Sequence, residues 1–199
     1  KVLGDHVHQA GSYVDRRRCR FDFSHFSAMT AEEIEKVENM VNTMILDALD
    51  VNVTEMSIDE AKKLGAMALF GEKYGDVVRV CDMSGKSIEF CGGTHVKNTA
   101  QIGLFKIISE SSVAAGVRRI EATTANGVLE LLDEANKTIA DSAENLKLSN
   151  PAELVAKTAS VAVELKEKDR EIETLNSKLA EMQTNGLFDD AKEVAGVKV

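Results

Sequence analysis

Val77-Val78-Arg79-Val80-Cys81-Asp82-Met83-Ser84-Gly85-Lys86-Ser87-Ile88-Glu89-Phe90 reads as two short β-rich runs, Val77 to Cys81 and Ser87 to Phe90, divided by a Ser-Gly turn. The same texture returns outward from it at Ile102 to Ser109 and at Val117 to Thr123, and Arg20-Phe21-Asp22-Phe23-Ser24 alternates as a strand does. Helices fall between these runs. Thr30 with Glu33 forms a capping box ahead of Ile34, Val37, Val41, Met44 or Ile45, and Ala48 at helical spacing. Ser57 with Glu60 repeats the box ahead of Ala61 to Leu64, a short helix stopped at Gly65. Short strands joined by Gly, Asn or Ser turns, with helices among them, predict an α+β fold: a mixed or antiparallel sheet with helices packed on it.

Beyond Thr124 the composition changes. Residues 128 to 182 contain one proline and no glycine, and are rich in Ala, Glu, Lys and Leu. Asn150 as N-cap, Pro151 at the first helical position and Glu153 open a helix. Along it Leu154, Thr158, Val161, Leu165, Lys168, Ile172, Leu175, Leu179 and Met182 step by fours and threes, a heptad seam with polar interruptions, which predicts a coiled coil. Val128, Leu132, Ala135, Ile139, Ser142 and Leu146 step likewise, and the short link between the two seams predicts an antiparallel helical hairpin. Three segments are expected: residues 1–125 as the mixed domain, 126–184 as the hairpin, ended by Asn185 and Gly186, and 185–199 as the start of a further domain. The opening Lys1-Val2-Leu3-Gly4 reads as the tail of a helix closed by glycine, so a piece of a longer chain is expected.

The 199 residues are 44% apolar and 29% charged, with a formal net charge of −9, a composition that supports a folded core and weighs against non-specific coating of nucleic acid. No apolar run approaches the roughly 18 residues of a membrane span. Three cysteines, Cys19, Cys81 and Cys91, make no regular framework and point to a reducing, cytoplasmic setting.

The sharpest chemical feature is Cys91-Gly92-Gly93-Thr94-His95. A thiolate and an imidazole four residues apart, around two glycines that let the backbone turn tightly, can address one metal ion. This donor pair suits Zn²⁺, whose sites take three or four protein ligands, so others must come from elsewhere. A nucleophilic Cys91 with His95 as its base is the alternative, lacking an orienting third group. His6, His8 and His25 read as surface or supporting residues, and Cys19 and Cys81 as small buried hydrophobes. Gln9 beside Gly11-Ser12 can bind a polar ligand edge. Arg118 and Arg119 alternate to opposite faces, so one of them can reach a phosphate or carboxylate of a ligand, the competing reading being a cross-strand pair with a carboxylate.

Four ordered blocks then resemble the editing domain of the alanyl-tRNA synthetases: Gly4-Asp5-His6-Val7-His8-Gln9-Ala10-Gly11-Ser12, Arg20 to His25, Cys91 to His95 followed by Asn98-Thr99, and Gly116-Val117-Arg118-Arg119-Ile120-Glu121-Ala122. Met67 to Asp76 and the acidic helical part are similar too. The resemblance implies hydrolysis of the ester bond of mischarged Ser-tRNA(Ala) and Gly-tRNA(Ala), at a zinc site formed by an HxxxH helix and the CxxxH turn. Cys91 and His95 match the second half of that set; this sequence contains no HxxxH, whose pair would lie upstream. Gln9 matches a pocket glutamine, so Gln9 and Cys91 are the expected catalytic residues, with Gln9, Gly92, Gly93, Thr94 and Arg118 expected at the substrate. The implied partner is the tRNA(Ala) 3′ end, with a homodimer through the helical region or C-terminal domain. The editing domain of threonyl-tRNA synthetase, a free-standing editing protein, and a mainly structural spacer or dimerisation module remain alternatives.

Overall fold

The computed structural model describes residues 2–67, 74–189, 193–194 and 196–198. The chain order is β1 (Gln9–Val14), β2 (Cys19–Ser24), α1 (Ala31–Leu46), β3 (Val51–Ser57), α2 (Ile58–Lys63), β4 (Val77–Met83), β5 (Ile88–Phe90), β6 (Phe105–Ala114), β7 (Val117–Thr124), α3 (Asn126–Asn145) and α4 (Leu154–Asp189), then the two-residue strands β8 (Glu193–Val194) and β9 (Val197–Lys198). Two compact units divide within α3, Lys1–Asp133 and Glu134–Val199. Among the described residues no helix is long and apolar enough to cross a membrane.

The first unit holds two antiparallel sheets, one in the order β1-β2-β7-β6 and one in the order β3-β4-β5. The α+β class expected from the sequence is therefore the class found. Both capping boxes form: Thr30 and Ser57 each accept the N–H three residues on, and Glu33 and Glu60 each reach back to the cap N–H. In the smaller sheet Val78, Val80 and Phe90 bury against Ala61 of α2, with Met56, Ile58 and Ile88 around them and the Tyr74 ring edge-on to Phe90. In the larger sheet Phe23, Ile107 and Ala122 are buried, as is Ile45 of α1.

α1 joins the larger sheet through the backbone of β6, the strand at its edge. Asn42 Nδ2 donates to the Phe105 carbonyl at 2.9 Å and its Oδ1 accepts the Phe105 N–H at 2.8 Å. One helical turn earlier, the buried Glu38 accepts the Ile107 N–H at 2.8 Å and the Lys106 ammonium at 2.7 Å. Four helical residues rise about 6.0 Å and two strand residues about 6.8 Å, so side chains at i and i+4 of a helix can address alternate outward backbone groups of a strand.

Several elements differ from the sequence reading. β1 and β3 were not anticipated as strands. Ile102 ends a 3-10 turn, Thr99–Ile102, and the strand starts at Phe105, because Gly103 reverses the chain at φ +69°. The Asn150 cap forms, but over the 3-10 turn Pro151–Glu153 that leads into α4. α4 runs past Asn185 and Gly186 to Asp189; one helical glycine costs only about 1 kcal/mol. Around the α3–α4 joint Ala143 is buried and Leu146, Leu148, Leu154 and Val161 are half-buried, whereas Leu165, Ile172, Leu175, Leu179 and Met182 are exposed. Of the Met67 to Asp76 block, residues 68–73 lie outside the described residues, as do residues 190–192, 195 and 199 of the expected C-terminal domain start.

Asn42→Ala strands both backbone groups of Phe105. Denaturant unfolding is expected to show a loss of about 1–3 kcal/mol, as a lower midpoint at unchanged slope.

Candidate functional site

The Cys91–His95 turn follows β5 directly and is tied at both ends. At its start the Cys91 N–H donates to the Arg79 carbonyl on β4 at 3.0 Å, and Arg79 Nη1 reaches on to the Gly93 carbonyl. At its end Asn98 Nδ2 donates to the Ala48 carbonyl at 2.7 Å and to Asp50 Oδ1 at 3.1 Å. Thr99, 2% exposed, donates from Oγ1 to the Met44 carbonyl at 2.7 Å and accepts the Leu49 N–H at 2.8 Å. The Val51 N–H completes the clamp on the Lys97 carbonyl at 3.0 Å. These bonds satisfy groups at the C-terminal end of α1, where helical carbonyls lack internal partners. The same polar pair thus closes a helix and fixes the loop.

Within the turn Gly92, Gly93 and Thr94 are exposed, while Cys91 and His95 are half-buried. The thiol folds back over the turn: a Cβ on Gly93 would stand 3.7 Å from Cys91 Sγ. His95 Nε2 is buried and has no hydrogen-bond partner among the described residues. Burying a polar atom unpaired costs about 1–3 kcal/mol, so this nitrogen is open to a further partner. With the free thiol of Cys91, the donor chemistry fits half of a zinc site. Among the described residues no group of three or more His, Cys, Asp and Glu is placed to hold a metal, so they do not complete it. Cys81 is buried as expected, and its thiol is pushed up by burial first and then by Cys91 just past β5.

Gln9 stands at the start of β1 on the larger sheet, half-buried opposite Phe23 and beside a bulge between Gln9 and Gly11. Its side chain makes no hydrogen bond among the described residues, and none links it to the turn. His6 and His25 come together, Nε2 to Nδ1 at 2.8 Å, with Phe26 stacked on His6. Arg118 and Arg119 do leave β7 on opposite faces, and each meets a carboxylate. Arg118 Nε and Nη2 donate to Glu110 on β6, and Arg119 Nε and Nη2 to Asp22 on β2. The cross-strand pair with a carboxylate, the competing reading for Arg118, is thus formed. Arg79 and Thr99 were missed as supports; the signal available was an Asn-Thr pair just past the motif.

Thr99→Val keeps the shape and removes both hydroxyl bonds. It is expected to cost about 1–3 kcal/mol and to speed hydrogen exchange at the Leu49 amide, read by NMR. The Asp22 carboxyl is held below its ordinary value of 3.8, chiefly by the Arg119 hydrogen bonds. A depressed folded-state value contributes stability that is present above the ordinary range and is lost as pH falls through the folded value. Melting temperatures of the wild type are therefore expected to fall as pH drops below 3.8, more steeply than those of Asp22→Asn.

The family described as "Threonyl and Alanyl tRNA synthetase second additional domain" matches residues 78–121, the span from β4 to β7 that carries the turn. Over 198 residues the chain is 54% identical to the alanine–tRNA ligase of Acetivibrio thermocellus, covering all of this chain and 22% of that protein. It is 50% identical to that of Thermoanaerobacter sp. strain X514, covering 23%, and 47% identical to that of Halalkalibacterium halodurans, covering 22%. The chain thus spans under a quarter of the length of these relatives. Matched from end to end at this identity, with the family's second additional domain at its centre, the chain belongs to the alanyl-tRNA synthetase family as a segment of it.

Proposed function

We propose that this chain carries part of an editing site, where water hydrolyses the ester that joins a wrong amino acid, serine or glycine, to tRNA(Ala). The observation that carries the reading is the His95 Nε2, buried without a partner among the described residues at the end of a turn that begins with a free thiol. A pocket for alanine cannot strongly reject a smaller residue, and an added hydroxyl gives modest discrimination, so a second, hydrolytic site is needed.

Cys91 and His95 would hold the zinc ion, with the remaining donors supplied by an HxxxH helix outside this sequence. When bound, zinc supplies Lewis-acid polarisation, an activated water, or a fixed anchor for the substrate. The clamped turn does the positioning. Arg79 and Thr99 hold the two ends, and the exposed Gly92, Gly93 and Thr94 offer backbone groups and a hydroxyl to the aminoacyl end. Gln9, whose amide makes no hydrogen bond among the described residues, orients the substrate. In the reaction water adds to the ester carbonyl carbon, the acyl–oxygen bond breaks, and the 3′-terminal ribose hydroxyl leaves with a proton. The partner is the tRNA(Ala) 3′ end; the exposed apolar stripe of α4 offers a face for a homodimer, and the setting is the cytoplasm.

The test is deacylation of Ser-tRNA(Ala) by this chain and by a version extended upstream through the HxxxH helix, each with Cys91→Ala. The extended form is expected to bind zinc and hydrolyse the ester. Cys91→Ala is expected to lower the rate by at least roughly 10–100-fold, the loss that follows when a supporting group alone is removed. A folded, zinc-loaded extended form without activity would overturn the reading and move the weight to a structural role.

A further inference from the structure

The β1–β2 hairpin carries Arg16, Arg17 and Arg18 in succession, on a chain of formal charge −9. Its tip is a built turn. Asp15 Oδ1 accepts the N–H groups of Arg17 at 2.7 Å and Arg18 at 2.9 Å, and the Asp15 N–H donates to the Arg18 carbonyl at 3.0 Å. Thr123 on β7 donates from Oγ1 to the Arg17 carbonyl at 3.0 Å. Room for that hydroxyl comes from Gly127 on α3, where a Cβ would stand 1.9 Å from it. The Asp15 carboxyl is held below its ordinary range first by the Arg17 N–H and then by the Arg18 N–H, so its hydrogen-bonding capacity is turned to the backbone.

The three guanidiniums do not share one fate. Arg18 is tied down, donating to Glu121 at 2.8 Å. Arg16 and Arg17 are exposed, and neither is within ion-pair distance of a carboxylate among the described residues. Beside them on the same hairpin is Tyr13, 49% exposed, with the Arg20 guanidinium 5.8 Å from its ring centroid. Two cations on a fixed turn next to an exposed aromatic ring match a ribose-phosphate backbone. Guanidinium forks bind phosphate oxygens in pairs, and a preformed turn loses little freedom when it docks.

We propose that the β1–β2 hairpin tip docks the tRNA backbone, with Arg16 and Arg17 each contacting a phosphate. The proposal rests on the tRNA reading above and assigns it a surface away from the Cys91–His95 turn in sequence. Each phosphate contact releases counterions, so the salt dependence of binding reports the number of contacts directly.

The experiment is fluorescence anisotropy of labelled tRNA(Ala) against this chain from 50 to 200 mM salt (roughly the range over which counterion release is resolved), with wild type, R16Q/R17Q, R16K/R17K and the two single Gln variants. The double Gln variant is expected to bind at least roughly tenfold more weakly at the middle of that range, with a log–log salt slope shallower by about two; each single variant is expected to lose about one. R16K/R17K keeps the charges and is expected to keep the slope. Thermal melts of the variants are expected to match the wild type, since both side chains are solvent-exposed. If the wild type binds and the Gln variants match it in slope and affinity, the hairpin assignment is overturned and the tRNA reading stands. If the wild type does not bind tRNA(Ala), the tRNA reading falls and takes the hairpin with it.

Discussion

The bond between Asn42 and the backbone of Phe105 makes α1 behave as the missing neighbour of β6. An edge strand presents a row of unpaired N–H and C=O groups, which fold poorly into a core and invite other chains. Here the side chains of Asn42 and Glu38 answer those groups at Phe105 and Ile107. The helix is thereby held at the strand edge, in a register set by backbone geometry and not by apolar packing alone. Glu38 also brings Lys106 in, so its buried charge has both a cation and an amide. Removing one partner from such an arrangement leaves the other with its full desolvation cost.

Everything around the Cys91–His95 turn inherits that register. The far end of α1 is closed by Thr99 and Asn98, which belong to the loop leaving the turn. The near end of the turn hangs from Arg79 on β4, a strand whose partner β3 starts just past the same helix end. The turn is therefore suspended between the smaller sheet and a helix that the larger sheet holds in place. That is how two exposed glycines can sit in a loop without leaving its donors free to wander.

Local chemistry was legible in the sequence, and long-range chemistry was not. Thr30 with Glu33 and Ser57 with Glu60 announce helix starts because both partners lie within one turn, and both boxes are there. The alternation of Arg118 and Arg119 gave their faces, but Glu110 and Asp22 could be known only once β6 and β2 flanked β7. Asn42 and Glu38 are polar residues on a helix, indistinguishable by spacing from a solvated face. β1 was hidden by its Gly-Ser content and exposed outer face, whereas β3 carried a readable alternation at Val51 and Val53. Of the candidate site, the Cys-Gly-Gly-Thr-His spacing was plain; its supports Asn98 and Thr99 were not, because the groups they hold lie some fifty residues away.

α4 contrasts with this interlocked part. Over its 36 residues no described side chain is buried, and its apolar stripe from 165 to 182 faces water. Such a helix holds together by its own ladder and a few pairs such as Lys168 with Glu171. The sheets, by contrast, hold buried side chains such as Phe23 and Ala122 in the larger and Val80 and Phe90 in the smaller. Cooperative unfolding of the whole chain as one body is not to be expected: α4 frays turn by turn while the sheets remain intact, so the melting transition belongs to the sheets and the far half of α4 contributes little to it.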